Sequence, residues 1–296
     1  MRSSGPITAP PRTASSHSAC QHDGVRVWVS GAAGKLGSEV CRQLRAEGHE
    51  VLEADAHAKG TAAVDLLDPE AVASSLRGAE AIVHCAAIPS PENVTPAHLV
   101  ENNTMSTFNA LEEAWNAGIR LAVLASSGSI YGTAWAPDLL TEPYVPVDED
   151  SPLQYVDPYA LSKDLLERMG QMYARRGMTV TALRFHWIVT TEELRARAES
   201  EPDQEGARML WGYVHVEDAA RACVLALRPS SDRAPFEALL IAAGDTWARL
   251  PTEQLLDQYS PQSQRRATFP GTTGAFDCSR AARVIGWVPE ADWRAG

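Results

Sequence analysis

The chain has 296 residues, of which 45% are hydrophobic and 22% charged, and its formal net charge is −12. This composition is ordinary for a soluble globular protein, and the acidic balance argues against nucleic acid or an anionic membrane as a partner. No apolar run approaches the ~20 residues that span a bilayer. The five cysteines are widely spaced and include no CxxC pair, so we expect no metal site and a reducing cytoplasm as the compartment.

Residues 1–23 are rich in Ser, Pro, Ala and Thr and are predicted to be a disordered tail. Residues 25–30 then indicate a buried strand, which runs into the glycine-rich Gly31-Ala32-Ala33-Gly34-Lys35-Leu36-Gly37 and a helix over 35–47. This arrangement lays a pyrophosphate on a helix N-terminus, although the glycine spacing alone would also suit a plain βα turn. The next predicted strand, 50–55, ends at Asp55, an acid that suits a ribose 2′-hydroxyl.

The rest of the chain continues to alternate short apolar strands with amphipathic helices. Further strands are predicted at 81–86, 120–125, 179–185 and 237–242, and further helices at 69–77, 96–117, 158–176 and 216–227. This alternation predicts an α/β fold, a Rossmann-type doubly wound parallel sheet. We expect residues 24–185, completed by about 212–243, to form the dinucleotide-binding domain. Residues 186–211, whose charged part 192–205 is predicted to be a solvated surface insertion, and 244–296 would form a small substrate lobe.

Tyr159 and Lys163 lie four residues apart in the helix predicted over 158–176, so both side chains leave the same helix face. A phenol normally titrates near ~10, and a cation held beside it favours the phenolate. The tyrosine could therefore give and take a proton during a reaction. The proline-rich loop predicted over 133–157 comes just before this pair and could form one wall of a site.

These features together resemble the extended short-chain dehydrogenase/reductase family, also called the NAD-dependent epimerase/dehydratase family, over roughly residues 25–290. The motifs that carry the resemblance are Gly31-xx-Gly34-xx-Gly37, Asp55, Asp65-Leu66 after a third strand, Val83-His84-Cys85-Ala86-Ala87 closing a fourth strand, Asn103 with Thr107, Ser126-Ser127 with Tyr131-Gly132, Tyr159-xxx-Lys163, and His215-Val216-Glu217-Asp218.

The resemblance implies NAD as the cofactor, Ser127, Tyr159 and Lys163 as the catalytic residues, and a homodimer formed through the helices at 96–117 and 158–176. Implied cofactor contacts are Gly31, Ala33, Gly34, Lys35, Leu36, Gly37, Asp55, Asp65, Leu66, Cys85, Ala86, Ala87, Asn103, Ser126, Tyr159, Lys163 and Phe185. Implied substrate contacts are Ile88, Ser127, Gly128, Ser129, His186 and Trp187. Because Ala56 and His57 follow Asp55 where an arginine would bind a 2′-phosphate, NAD is predicted over NADP.

Two departures from the family pattern bear on the substrate. The family's nucleotide-sugar dehydratases carry an acidic pair directly after the catalytic Ser or Thr, but this chain has Gly128 and Ser129, which leaves no proton donor for elimination of water. The stretch from Arg184 to His215 is shorter than in nucleotide-sugar epimerases and lacks a basic cluster for a diphosphate. The favoured hypothesis is an NAD-dependent oxidoreductase acting on a secondary alcohol or carbonyl of a small, sugar- or polyol-like molecule. An epimerase and a non-catalytic dinucleotide-binding protein remain as alternatives.

Overall fold

The computed structural model describes residues 24–57, 63–136 and 140–294, so the tail predicted over 1–23 lies outside the described residues. Within these ranges the strands are β1 (Arg26–Ser30), β2 (Glu50–Ala54), β3 (Ala81–His84), β4 (Leu121–Ser127), β5 (Tyr144–Val145), β6 (Thr179–Phe185), β7 (Ile188–Val189), β8 (Val214–His215), β9 (Phe236–Ile241) and β10 (Gln264–Arg265). The helices are α1 (Lys35–Ala46), α2 (Pro69–Ser75), α3 (Pro96–Asn116), α4 (Pro158–Arg175), α5 (Thr191–Ala198), α6 (Gln204–Arg208), α7 (Val216–Ala226), α8 (Thr252–Tyr259) and α9 (Ser279–Ile285).

Six strands form one sheet in the order β2-β1-β3-β4-β6-β9, and every neighbouring pair is parallel. Helices α1, α7 and α9 bury their apolar sides against one face of this sheet, and α2, α3 and α4 cover the other. The chain reverses direction along the sheet between β1 and β3, and such switch points are where open α/β sheets bind ligands. The predicted α/β, Rossmann-type doubly wound fold is therefore confirmed.

Three helices begin in the same way, with a capping residue followed by proline: Asp68-Pro69, Thr95-Pro96 and Asp157-Pro158. Proline is preset for the first helical position, where its missing N–H costs nothing. At the third of these starts, Asp157 Oδ1 accepts a hydrogen bond from the N–H of Ala160 at 2.8 Å. This cap fixes the first turn of α4 and with it the direction of Tyr159.

The predicted strands are present with shifted ends, and the sequence prediction placed one strand at the wrong position in the chain order. Strand β3 ends at His84 rather than at residue 86, and β4 continues to Ser127. Val83 and His84 close the third strand of the chain and not a fourth, because the described residues 63–68, where an additional strand was expected to end, are irregular. A hydrogen bond from the Val64 N–H to the Asp55 carbonyl oxygen ties this stretch to the end of β2.

Outside the main sheet, short strands form two further pairs, β5 with β10 and β7 with β8. The charged segment 192–205 is largely exposed, as predicted, but it is anchored at two points, because Leu194 and Ala198 of α5 are buried in one cluster with Trp211 and Trp247. The two segments predicted to form the substrate lobe therefore share an apolar core, to which Trp293 also belongs.

Two further observations concern membrane-spanning helices and thiols. Across the described ranges, no helix is both long enough and apolar enough to cross a membrane. The cysteines seen there are free thiols: Cys41, Cys85, Cys223 and Cys278.

Candidate active site

The glycine-rich turn after β1 is built so closely that side chains would not fit. Gly31 has φ +68°, and a β-carbon there would lie 2.7 Å from the backbone nitrogen of Ala86, just past the end of β3. A β-carbon on Gly37 would collide with the Gly31 carbonyl oxygen, which also accepts a hydrogen bond from the Gly34 N–H at 3.0 Å. The first turn of α1 thus lies directly against the turn that ends β1.

This turn fits a dinucleotide. Gly34 is the N-cap of α1 and has no side chain to bind the free N–H groups, and the first turn of the helix carries no acid. Those N–H groups can therefore meet a phosphate. At the end of β2, Asp55 accepts hydrogen bonds from the Ala33 N–H at 3.0 Å and from the His57 N–H at 2.8 Å. Its carboxylate is fixed beside the glycine-rich turn, at the position expected for a ribose contact.

Lys35 reaches from this turn to the small lobe. Its ammonium lies 2.7 Å from both carboxylate oxygens of Glu193 and 3.3 Å from the Ile188 carbonyl oxygen. Glu193 is also part of the capping box that starts α5. The predicted contact of Lys35 with the cofactor stays a prediction. In the structure its ammonium joins the glycine-rich turn to Glu193 and to the Ile188 carbonyl oxygen.

The three predicted catalytic side chains come together where β4 ends and α4 begins. The Ser127 side chain lies close enough to the Tyr159 phenol to affect its pKa, and the Lys163 ammonium lies 5.5 Å from the centre of the Tyr159 ring. Lys163 is buried, 4% exposed, and donates a hydrogen bond to the Ala125 carbonyl oxygen at 2.8 Å. Strand β4 thus supplies both the serine and the carbonyl that orients the lysine.

Burial is the largest influence on the pKa values of Tyr159 and Lys163. It raises the pKa of Tyr159 to about 12, against the opposing effect of the Ser127 side chain. It lowers the pKa of Lys163 to about 8. The sequence prediction gave Lys163 the role of favouring the phenolate, and this role stays a prediction; in the structure its ammonium donates to the Ala125 carbonyl oxygen.

A buried ion pair lies behind the trio, and the sequence analysis missed it. Glu167 receives two hydrogen bonds from the Arg184 guanidinium, at 2.8 and 2.9 Å, and one from the Ser126 hydroxyl at 2.7 Å. Arg184 also donates to the Tyr131 hydroxyl at 3.0 Å. The Ser126 side chain, predicted to contact the cofactor, is therefore bound to Glu167. Glu167 comes four residues after Lys163 on the same helix face, and this spacing was the available signal.

Asn103 fastens the loop after β3, which carries the predicted contacts Cys85, Ala86, Ala87 and Ile88. Its amide accepts a hydrogen bond from the Ile88 N–H at 2.8 Å and donates to the Ile88 carbonyl at 3.1 Å and to Ser162 on α4 at 3.2 Å. The asparagine therefore joins this loop to α3 and α4. On the described hydrogen bonds, its role toward the cofactor is positional.

Several other predicted site residues turn their side chains into the protein. Leu36 and Phe185 belong to the apolar core on one face of the sheet, and Leu66 to the core on the other. Trp187 packs with the small-lobe core. Asp65 accepts a hydrogen bond from the N–H of Leu67 at 2.9 Å. Leu36, Leu66, Phe185 and Trp187 are thus placed to offer a ligand mainly their backbone atoms.

The predicted substrate residues after β4 adjoin the trio directly. A short 3₁₀ helix (Gly128–Tyr131) follows the strand, and the Ser129 N–H donates to the Ser127 hydroxyl at 3.1 Å. The His186 imidazole lies over Gly128 and packs against the Phe276 ring, with ring centroids 3.9 Å apart and the planes tilted by 45°. Ser127, Gly128, Ser129 and His186 therefore form one cluster.

Comparison with known proteins identifies the family. A family model described as the NAD dependent epimerase/dehydratase family matches residues 27–242. An L-arabinose 1-dehydrogenase (NAD(P)(+)) of Haloferax volcanii is 29% identical over 231 residues, covering 74% of this chain and 89% of that protein. A UDP-glucose 4-epimerase of Lactobacillus helveticus is 26% identical over 314 residues, covering 90% and 92%.

Solved structures agree on the fold. A short-chain dehydrogenase/reductase superfamily protein of Agrobacterium tumefaciens with bound NAD has a TM-score of 0.67 at 22% identity, covering 90% of this chain and 93% of that one. The UDP-glucose 4-epimerase of Thermotoga maritima with UDP-glucose also reaches 0.67, at 21% identity, covering 90% and 94%. The chain therefore belongs to the NAD-dependent epimerase/dehydratase family, and its cofactor is NAD.

Proposed function

We propose that this protein is an NAD-dependent oxidoreductase that acts on a secondary alcohol or carbonyl of a small free sugar or polyol. The observation that carries the proposal is the cluster of Ser127, Tyr159 and Lys163 at the end of β4, with a dinucleotide-binding turn at the end of the nearby strand β1. A hydroxyl and a phenol beside an ammonium can hold a substrate oxygen and move its proton.

Each member of the trio has a separate task. Bound NAD supplies the acceptor or donor of hydride. Ser127 holds the substrate oxygen, and Tyr159 exchanges the proton with it. A phenol whose pKa is about 12 is protonated at neutral pH, so the unliganded site is set to give a proton to a carbonyl. We therefore expect oxidation of an alcohol to accelerate as the pH rises, and reduction to be faster at lower pH.

The size of the small lobe supports a free sugar over a nucleotide sugar. The alignment with the Lactobacillus helveticus epimerase runs over 314 positions, more than the 296 residues of this chain, so gaps must fall within this chain. The segment between β7 and β8 is short, and its buried Leu194 and Ala207 hold it against the lobe core.

A UDP-sugar epimerase is the second candidate, because several UDP-glucose 4-epimerases align with about nine-tenths of this chain. In that reaction the same groups would act on one substrate twice, with no net redox change. Such an enzyme must keep its NAD through the whole cycle. Retention of NAD(H) through gel filtration would therefore favour the epimerase, and a requirement for added NAD would favour the dehydrogenase.

The test of the proposed function uses purified protein, NAD and a panel of free aldoses beginning with L-arabinose. We expect NADH to accumulate with at least one of them. UDP-glucose is tested in parallel for conversion to UDP-galactose. If UDP-glucose is converted and no free sugar yields NADH, the oxidoreductase proposal is wrong and the epimerase is supported.

Asp55 supports NAD as the preferred form of the cofactor over NADP. Its carboxylate is fixed by the Ala33 and His57 N–H groups, so a 2′-phosphate would approach a negative charge that cannot turn away. We expect NADH to bind at least about tenfold more tightly than NADPH, a difference of roughly 1.4 kcal/mol. The preference should shrink in Asp55→Asn, and equal affinities in the wild type would contradict it.

The outer faces of α3 and α4 support a homodimer. Both helices carry partly exposed large apolar side chains: Met105, Phe108, Leu161 and Met172. Helices α3 and α4 pack side by side, so these side chains lie on neighbouring elements. We expect light scattering to give the mass of a dimer, and Phe108→Glu to give that of a monomer with NADH affinity unchanged. A monomeric wild type would contradict this.

The thiols support the cytoplasm as the compartment. Burial raises the pKa of Cys41 and of Cys278 to about 12, so both stay protonated and unreactive. The described cysteines form no disulfide, so a reducing environment would break no bond between them. Cell fractionation is the direct test, and recovery of the protein outside the cytoplasmic fraction would contradict the assignment.

A further inference from the structure

A cavity of about 540 Å³ opens on the small lobe. It is lined by three arginines, one glutamate and one tryptophan: Arg195, Glu199, Arg249, Trp293 and Arg294. Arg195 belongs to α5, and Glu199 directly follows that helix. None of the five is a predicted cofactor or substrate contact or a member of the catalytic trio. Three guanidinium groups thus meet at one cavity in a chain whose net charge is −12.

Hydrogen bonds to backbone carbonyls orient two of these guanidinium groups. Arg249 Nε donates to the Ala198 carbonyl oxygen, at the C-terminal end of α5, at 3.0 Å. Arg294 Nη2 donates to the carbonyl oxygens of Thr246 and Ala248, both at 2.8 Å. The two groups are therefore held in place before a ligand arrives, which lowers the entropic cost of binding.

The three arginines differ in whether another side chain neutralises their charge. Arg294 forms an ion pair with Asp245. Arg195 and Arg249 form no ion pair with any described residue, and Arg195 makes no hydrogen bond with one either. The cavity therefore offers two unpaired guanidinium groups against the single carboxylate of Glu199. The planar fork of a guanidinium matches the oxygens of a phosphate or a carboxylate.

The other walls of the cavity indicate what kind of molecule carries the anion. Trp293 is 8% exposed and belongs to the core of the small lobe, so its ring is a fixed apolar wall. Glu199 is exposed, and its carboxylate can only accept hydrogen bonds, which suits a ligand with hydroxyl groups. The volume lies within the range of ~300–1,000 Å³ that is usual for small-molecule sites, and inorganic phosphate alone would not fill it.

We propose that this cavity binds the phosphate monoester of a hydroxylated molecule, at a site separate from those of the dinucleotide and the substrate. Arg195 and Arg249 hold the phosphate, and Glu199 accepts a hydrogen bond from a hydroxyl group of the ligand. A phosphate monoester carries about two negative charges at neutral pH, which matches two unpaired guanidinium groups. A carboxylate carries only one and should bind more weakly.

Isothermal titration calorimetry on the NADH-saturated protein measures this binding. NADH fills the glycine-rich turn, which could otherwise take up a phosphate itself. The probes are ribose 5-phosphate, inorganic phosphate, acetate and ribose. We expect ribose 5-phosphate to bind at least about tenfold more tightly than ribose or acetate and more tightly than inorganic phosphate. Its affinity should fall as NaCl is raised from about 50 to 300 mM, because the site is open to solvent.

Substitutions at the cavity identify the site. Arg195→Gln and Arg249→Gln should each weaken binding of ribose 5-phosphate at least about fivefold. Arg283→Gln, which removes an exposed arginine of α9 that has no described partner, is the matched control and should change it less than about twofold. Glu199→Ala should reduce the preference for ribose 5-phosphate over inorganic phosphate. Because Arg195 makes no hydrogen bond with a described residue, Arg195→Gln should keep the wild-type Tm, and its effect cannot be assigned to unfolding.

Three results would overturn the proposal. The first is that the NADH-saturated wild type binds no ribose 5-phosphate, and the second is that both arginine variants bind it as tightly as the wild type. The third is that acetate or inorganic phosphate binds as tightly as the ester. Each of these results would leave the proposed oxidoreductase unaffected, because the titration measures no turnover and changes no residue of the catalytic trio.

Discussion

Glu167→Gln removes one charge of the buried ion pair behind the catalytic trio and leaves the Arg184 guanidinium without a counter-charge. The side chains of this pair are 4% and 7% exposed, so solvent cannot take the place of the lost partner. Breaking a buried pair on one side costs about 3–5 kcal/mol. We expect the free energy of unfolding to fall by that amount, with a loss of activity, because the pair holds the end of β4 against α4 and β6.

Urea unfolding followed by tryptophan fluorescence measures the change, and Glu53→Gln is the matched control. Glu53 pairs with Arg45 on the surface, where the two side chains are 35% and 53% exposed, so its loss should cost no more than ~1 kcal/mol. The double variant Glu167→Met/Arg184→Met should be more stable than Glu167→Gln, because it leaves no buried charge. A loss below ~1 kcal/mol for Glu167→Gln, or a double variant as unstable as the summed single ones, would refute the reasoning.

Three further predictions follow from burial at single positions. Lys163→Met should abolish turnover yet raise the free energy of unfolding by about 1–3 kcal/mol at pH 7, because it removes a buried charge. This gain should shrink between pH 8 and 10.5, where the lysine is still charged only in the unfolded chain. Unfolding measured at several pH values tests both statements. The free energy of unfolding should fall as the pH drops from 6.5 toward 3. Burial lowers the pKa of His84 to about 3 in the folded protein, so only the unfolded chain takes up a proton there. His84→Asn should flatten this slope in acid titrations. Gly37→Ala should weaken NADH binding at least about tenfold in fluorescence titrations because its methyl group would push against Gly31, while Ser38→Ala, on the exposed side of the same turn, should not.

The parts of the fold that were predictable are those set by local sequence. The strand, glycine-rich turn and helix at 25–47 follow from composition and spacing, and Asp68-Pro69 marks the start of α2. Strands β5, β7, β8 and β10 have two residues each and exist only through pairing with distant segments. The sequence around such strands carries no periodic signal, because two residues are too few to alternate.

The same limit applies to the site. Tyr159 and Lys163 are one helical turn apart and could be placed together from the sequence. The Glu167–Arg184 pair depends on how α4 packs against β6, and the contact of Lys35 with Glu193 joins residues 158 positions apart. The pKa of Tyr159 could not be inferred from its neighbours in sequence, because burial and not the lysine sets its direction.

The most direct test of the hydride-transfer account is Tyr159→Phe, measured for NADH formation from the best free sugar and for NADH binding. Removing one hydroxyl should lower kcat by about 10²–10⁴-fold, the usual contribution of a general acid or base. NADH affinity should stay within about twofold, since the dinucleotide is held mainly by the glycine-rich turn and Asp55. A Tyr159→Phe enzyme that turns over at the wild-type rate would contradict the assignment of the proton-transferring group, and with it the account of the reaction.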